Sequence, residues 1–157
     1  MARAKKPRRR VRFTIESRLE NVPLVGMSVN RLCGLIPLSE IDACRMELCV
    51  VEAVNNSILH AYEKKAGGEV EVVFSLFSDR LVIEVLDSGT PMSETRVRDK
   101  GLSSLDHNTV SIRDIPESGR GIGIIQSIMD DVSYGTDSGK NCLTMIKKIV
   151  PSKKMKS

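Results

Sequence analysis

The most constraining feature of the chain is the stretch Met46–Tyr62, which reads MELCVVEAVNNSILHAY. Read as a helix, it places Glu52, Asn56 and His60 four residues apart, and residues at i and i+4 share one helical face. The residues predicted to face the core are Val51, Val54, Ile58 and Leu59. The stretch therefore predicts a helix that is buried on one side and carries a carboxylate, an amide and an imidazole in line on another.

Length and composition favour one domain with an aliphatic core. The chain has 157 residues, of which 41% are hydrophobic and only 3% aromatic, with no Trp. The low aromatic content argues against a protein that binds single-stranded nucleic acid by stacking bases on aromatic side chains. No apolar run approaches the roughly 20 residues of a membrane span, and no apolar segment follows the basic N-terminus as in a secretory signal. We expect a cytoplasmic protein without a membrane contact.

The basic residues are concentrated at the two ends. Residues 1–12 carry seven Lys and Arg and residues 147–157 carry five, so the body keeps twelve basic against twenty acidic residues. We predict basic, disordered tails at 1–10 and 151–157 around a single domain at 11–150, and favour solubilising ends over a nucleic-acid contact.

Cysteine spacing predicts reduced thiols. The four cysteines are Cys33, Cys44, Cys49 and Cys142; they form no C-x-x-C pair, and three of them lie in apolar helical contexts. Neither histidine, His60 or His107, neighbours a cysteine in sequence, which argues against a zinc site.

Periodicity along the chain predicts the order βααββ–loop–αββ. Alternating patterns predict strands at 11–16, 69–77, 80–87, 131–135 and 142–150, and amphipathic patterns predict helices at 19–36, 39–64 and from about 118 to 129. This order fits an α/β two-layer sandwich, with helices on one face of a mixed, mainly antiparallel sheet. The polar segment 92–118 shows no clear periodicity, and so long a loop is usually functional or mobile.

A glycine pattern, Gly119-x-Gly121-x-Gly123, opens the last predicted helix. Glycines allow backbone N–H groups to approach an anion at a helix N-terminus, so the pattern is a candidate phosphate site. A dinucleotide-binding fingerprint would follow a strand directly in a βαβ unit, which this segment does not. The P-loop pattern is absent from the sequence.

Three polar residues each have an ordinary and a functional interpretation. Asp87 at a strand end is often a turn former, but a half-buried carboxylate there can accept the exocyclic amine of adenine. Glu52 is either a solvated helix charge or a general base. Asn56 offers an oxygen suited to Mg²⁺, whereas His60 is better explained as structural than as catalytic.

Taken together, these motifs resemble those of a known superfamily. The patterns Glu52-x-x-x-Asn56, Asp87-x-Gly89-x-Pro91 and Gly119-x-Gly121-x-Gly123 resemble, in order and spacing, the N box and glycine boxes of the GHKL (Bergerat-fold) ATPases. The words EAVNNSILHAY and MDDV are similar to those of anti-sigma-factor serine/threonine kinases of the RsbW and SpoIIAB type. The resemblance covers about residues 11–150.

The resemblance implies a site for ATP and Mg²⁺. By position, Asn56 would hold the metal, Asp87 would recognise adenine, and Glu52 would be the catalytic base. The implied nucleotide-binding residues are Asn56, Asp87, Gly89, Met92, Ser118, Gly119, Arg120, Gly121, Ile122 and Gly123. Residues 92–118 would form a mobile lid over the nucleotide.

The implied function is an ATP-dependent serine/threonine kinase (EC 2.7.11 type) of a bacterial partner-switching system. It would phosphorylate a STAS-type anti-anti-sigma protein, sequester a sigma factor and form a homodimer. Two positions depart from the family pattern: Glu117 replaces a basic residue, and Lys140-Asn141-Cys142 replaces a Gly-Thr pair. The alternative is therefore a nucleotide-gated binding switch with little or no phosphotransfer.

Overall fold

Five antiparallel strands form one layer of the protein in the computed structural model, which describes residues 5–93, 97 and 120–150. The strands are β1 (Arg9–Glu16), β2 (Glu69–Leu76), β3 (Arg80–Asp87), β4 (Asp131–Asp137) and β5 (Lys140–Lys148). They lie in the order β1-β2-β3-β5-β4, and each neighbouring pair runs antiparallel. The predicted element order and sandwich are confirmed. Strand β1 begins at Arg9, within the segment predicted as a tail.

The helices form the second layer. They are α1 (Val22–Cys33), preceded by a 3₁₀ turn (Leu19–Asn21), α2 (Glu40–Asn56), continued by a π-helical turn (Ser57–Ala61), and α3 (Arg120–Ile128). No helix in the described ranges is long and apolar enough to cross a membrane.

Local chemistry explains where α2 begins and ends. The side chain of Ser39 accepts a hydrogen bond of 3.0 Å from the N–H of Asp42, as serine commonly does at a helix N-cap. The sequence predicts a continuous helix to Lys64. In the structure the last turn widens, and the N–H of Tyr62 donates to the carbonyl of Ser57 five residues back. Glu63 and Lys64 then adopt left-handed φ values of 50° and 63°, which end the helix.

The core lies between the sheet and α2. Met46, Cys49 and Val50 are fully buried along α2, together with Val54 and Ile58. The prediction of Val54 and Ile58 as core residues is confirmed, whereas Val51 and Leu59 are only partly buried. Met46 and Ala53 are buried as well, because α2 packs against α1 and α3 in addition to the strands.

Strand β3 brings a carboxylate onto the core side of the sheet. Its residues alternate, and Leu81, Ile83 and Val85 are buried against the helices. Asp87 continues the same period-two series and is only 8% exposed. The fold therefore places this carboxylate at the edge of the core, below the end of α2.

Candidate functional site

A cavity of about 250 Å³ opens between the end of α2 and the strand ends. The residues lining it include Asn56, Asp87, Met92 and Ile122, four of the predicted nucleotide-binding residues. Apolar side chains, among them Val85 and Leu143, form much of the remaining wall, and a few polar residues such as Ser57 and Thr90 complete it. A mostly apolar cavity with a few convergent polar groups is typical of a small-molecule site.

Asp87 is held by three hydrogen bonds. Its Oδ1 accepts from the side-chain Nδ2 of Asn141 at 2.7 Å and from the backbone N–H of Gly89 at 3.1 Å. Its Oδ2 accepts from the hydroxyl of Ser57 at 2.8 Å. These donors offset the cost of burying a charged group and fix the orientation of the carboxylate.

Gly89 permits close contact between the β3 end and the π-helical turn. A Cβ at this position would lie 2.5 Å from the carbonyl oxygen of Ala61, nearer than side chains tolerate. The same carbonyl accepts a hydrogen bond of 2.9 Å from the N–H of Thr90. Gly89 therefore lets the chain after Asp87 pair with the helix end.

Tyrosine hydroxyls support both sides of this turn. The hydroxyl of Tyr62 accepts from the N–H of Ser88 at 2.8 Å and donates to the carbonyl of Glu69 at 2.7 Å. The hydroxyl of Tyr134 accepts from the N–H of Met92 at 2.9 Å. These contacts fix the backbone from Ser88 to Met92 along the cavity.

The first turn of α3 lies against Glu52 and Asn56. A Cβ on Gly121 would lie 2.7 Å from Oε2 of Glu52 and 3.5 Å from Nδ2 of Asn56. Any larger residue would displace the Glu52 carboxylate, so glycine permits the present arrangement, in which both polar side chains of α2 lie beside a helix N-terminus. The exposed N–H groups of such a terminus favour negative charge, whether the Glu52 carboxylate or a phosphate.

Asn56 carries an unsatisfied buried donor. Among the described residues, its Nδ2 is the one buried side-chain nitrogen or oxygen atom without a hydrogen-bond partner. Leaving such a group unpaired costs about 1–3 kcal/mol. An anionic oxygen would satisfy Nδ2, and the oxygen of the same amide is a suitable ligand for Mg²⁺. The residues present therefore fit a phosphate with its metal.

The remaining predicted residues divide into two groups. Gly123 is buried in α3 and is not among the described residues that line the cavity. Ser118 and Gly119, the side chain of Arg120, and nearly all of the predicted lid at 92–118 lie outside the described residues. His60 lines the cavity. It lies on the π-helical turn and not, as predicted, on a continuous α-helix.

Sequence reasoning missed Ser57, Tyr134 and Asn141 as site residues. Ser57 and Asn141 contact Asp87 from positions 30 and 54 residues away in the chain. One signal in the sequence pointed to Asn141: the stretch Lys140-Asn141-Cys142 departs from the Gly-Thr pair of the family pattern. Because α2 and β5 meet only in the folded chain, no local spacing indicates these contacts.

The four cysteines are all free, as predicted. Burial raises the pKa of the Cys33 and Cys49 thiols to about 12, so both stay protonated near neutral pH. Cys44 is exposed, in contrast to its predicted apolar setting. The described residues contain no cluster of three or more His, Cys, Asp and Glu side chains that could hold a metal ion.

Comparison with known proteins gives three findings. The sequence model of the histidine kinase-like ATPase domain matches residues 15–147. Serine-protein kinases RsbW of Bacillus mycoides (strain KBAB4) and Bacillus cereus (strain Q1) are each 28% identical over 134 residues, covering 85% of this chain and 82% of theirs. The catalytic domain of the histidine kinase ThkA shares the fold, with a TM-score of 0.51 and 13% identity over 89% of this chain and 95% of that one.

Proposed function

Because the chain belongs to the histidine kinase-like ATPase family, we propose that it is a cytoplasmic, ATP-dependent serine/threonine protein kinase of a bacterial partner-switching system. Its proposed substrate is a STAS-type anti-anti-sigma protein, and its proposed second partner is a sigma factor. The similarity to curated serine-protein kinases over 85% of the chain supports this class of reaction.

The observation that carries the proposal is the contact of Gly121 with Glu52 and Asn56. It groups a carboxylate, an unsatisfied amide and a helix N-terminus beside a cavity that Asn56 and Asp87 both line. A purine bound at Asp87 would direct its phosphates toward α3. Asn56 would then donate to a phosphate oxygen and, through its amide oxygen, ligate Mg²⁺. The metal would neutralise charge on the phosphates.

The proposed chemistry uses Glu52 as the general base. A serine or threonine hydroxyl of the partner would attack the γ-phosphorus, and its proton would pass to the Glu52 carboxylate. The bond between the γ-phosphorus and the bridging oxygen would break, so that ADP leaves and a phosphoserine or phosphothreonine remains. The chain's own contribution is to position these groups, which is where phosphotransfer enzymes gain most of their rate.

The second candidate function is a nucleotide-gated binding switch with little or no phosphotransfer. The observation that favours it is Asn141, which stands in the stretch where related kinases have a Gly-Thr pair. This side chain contacts Asp87 and the carbonyl of Gly89. It is therefore engaged where the adenine ring is proposed to bind, away from the phosphates. A phosphate contact that the pair supplies elsewhere would have to come from other residues.

A homodimer is part of the proposal as well. The outer side of α1 exposes Leu24 and Met27, and the loop after it exposes Leu35, each more than 60% accessible. Exposed aliphatic side chains on neighbouring turns are suited to an interface between subunits. Light scattering of the purified chain would give the mass directly, and a monomer at every concentration would contradict this part.

Labelled ATP tests the kinase against the switch. The full chain is incubated with γ-labelled ATP, Mg²⁺ and a STAS-type protein, and label on the partner's serine or threonine is measured. The kinase proposal expects label that depends on Mg²⁺. Nucleotide-dependent binding of the partner without transfer would establish the switch, and failure to bind ATP would contradict both.

A further inference from the structure

Asn141 occupies the centre of a cross-strand row at the cavity. In the β-sheet register it is paired with Asp87 on β3 and with Thr136 on β4. Residues directly opposite on neighbouring strands point to the same face. Asn141 is 2% exposed, so its amide must find hydrogen-bond partners within the protein.

Both the nitrogen and the oxygen of the Asn141 amide make hydrogen bonds. Its Nδ2 donates to Oδ1 of Asp87 at 2.7 Å and to the carbonyl of Gly89 at 3.0 Å. Its Oδ1 accepts from the hydroxyl of Thr136 at 3.1 Å. The reversed amide would put its oxygen against a carboxylate and a carbonyl, so these neighbours select one orientation.

This arrangement determines which acceptor positions of Asp87 remain. A carboxylate accepts about four hydrogen bonds, two at each oxygen. Oδ1 already accepts two, from Asn141 and from the N–H of Gly89, whereas Oδ2 accepts one, from Ser57. Counting the contacts of the described residues, Asp87 thus keeps one acceptor position, on Oδ2, and Asp87 lines the cavity.

We propose that Asn141, oriented by Thr136, is a positioning residue that fixes the Asp87 carboxylate and the Asp87–Gly89 turn, and thereby sets the site's preference for a purine with an amine donor on C6, as in adenine. The inference rests on the proposed nucleotide site and deepens it. A fixed Oδ2 acceptor suits the amine of adenine. The carbonyl that guanine carries at the same ring position meets a negative oxygen there and is repelled.

Thr136 offers the mildest test, because it is an exposed residue near the end of β4. Thr136→Val keeps the shape and removes the hydroxyl that orients Asn141, whereas Thr136→Ser retains it. Ser133→Val, on the same strand but outside this network, is the matched control. Affinities for ATP and GTP with Mg²⁺ are measured by calorimetry on the full chain.

We expect Thr136→Val to weaken ATP binding by about 2–10-fold, the range for loss of one neutral hydrogen bond. Its preference for ATP over GTP should fall, while Thr136→Ser and Ser133→Val retain the wild-type values. Phosphotransfer should show a raised KM for ATP with kcat little changed. Wild-type affinity and selectivity in Thr136→Val would overturn the role of Thr136.

Asn141→Leu tests the central residue, with Asp87→Asn beside it. Asn141→Leu should weaken ATP binding by roughly 10–100-fold, as for a hydrogen bond to a charged group. If Asp87→Asn loses ATP binding but Asn141→Leu keeps wild-type affinity and selectivity, the positioning role is wrong and the nucleotide site stands. If neither substitution affects ATP binding, the proposed site itself is wrong. Should Asn141→Leu fail to fold, the two Thr136 variants decide.

Discussion

At the scale of single residues, Asp87 is buried, and both of its carboxylate oxygens accept hydrogen bonds. Asn141 and Gly89 bond Oδ1, and Ser57 bonds Oδ2. The period-two burial pattern of β3 continues to this residue and places it on the core side of the sheet. The pattern does not predict the donors, which come from the π-helical turn after α2, from the turn after β3 and from β5.

Asp87→Asn should weaken ATP binding with little change in the fold. The new amide oxygen would keep the donors Asn141 and Gly89, so the amide NH₂ would replace Oδ2 and oppose the adenine amine. Losing a bond to a charged acceptor costs about 1.5–3 kcal/mol. Calorimetry measures the affinity, and Asp79→Asn, an exposed aspartate just before β3, is the control. Equal ATP affinity in both variants would contradict the adenine role.

Gly121→Ala should affect chemistry more than stability. The added Cβ would meet Oε2 of Glu52 at 2.7 Å, and that oxygen is the end of a flexible side chain that can move away. The carboxylate would then leave its place beside α3. We expect a nearly unchanged unfolding midpoint in urea and a clear loss of phosphotransfer. Full phosphotransfer would show that the place of Glu52 is unimportant.

At the scale of elements, the joint between α2 and the end of β3 defines the site. The sequence predicted β3 with its observed bounds and a helix beginning at residue 39, which caps α2, because strand alternation and helical periodicity are local signals. It did not predict the π-helical turn at Ser57–Ala61. That turn is stabilised by tertiary contacts, such as Thr90 with the carbonyl of Ala61, which no local pattern encodes.

Gly89→Ala should destabilise this joint. Its Cβ would lie 2.5 Å from the backbone oxygen of Ala61, which cannot rotate away as a side chain does. Overpacking of this kind costs about 1–3 kcal/mol in the free energy of unfolding. Urea denaturation measures the loss. Gly135→Ala is a matched control, since its Cβ would meet nothing within 4 Å. Similar stabilities for the two variants would refute the close contact.

At the scale of the whole molecule, buried thiols report on the integrity of the core. Cys33 and Cys49 are fully buried on α1 and α2, and Cys44 is exposed on α2. The sequence predicted reduced thiols but could not separate these exposures, because Cys44 and Cys49 lie five residues apart and the rotation of α2 in the sandwich decides which one is buried.

Alkylation at pH 8 should distinguish these cysteines. Iodoacetamide reacts with thiolates, and a pKa of about 12 leaves Cys33 and Cys49 protonated in the folded state. The pKa of each buried thiol is higher in the folded than in the unfolded state. The stabilisation that comes from keeping these thiols protonated is therefore present at pH 8 and is lost as the pH rises toward 12. Mass spectrometry should find Cys44 modified first and the buried pair only in denaturant. Rapid native modification of Cys33 would contradict the packing.

The contrast between Glu52→Gln and Asn56→Ala tests the proposed kinase most directly. Single-turnover transfer from γ-labelled ATP to a STAS-type protein is measured beside ATP affinity, with Glu40→Gln, an exposed position at the start of α2, as the control. Loss of a general base slows transfer by about 10²–10⁴-fold. Glu52→Gln should therefore bind ATP normally and transfer it slowly, whereas Asn56→Ala should lose Mg²⁺-dependent binding. Unchanged transfer by Glu52→Gln would contradict the account.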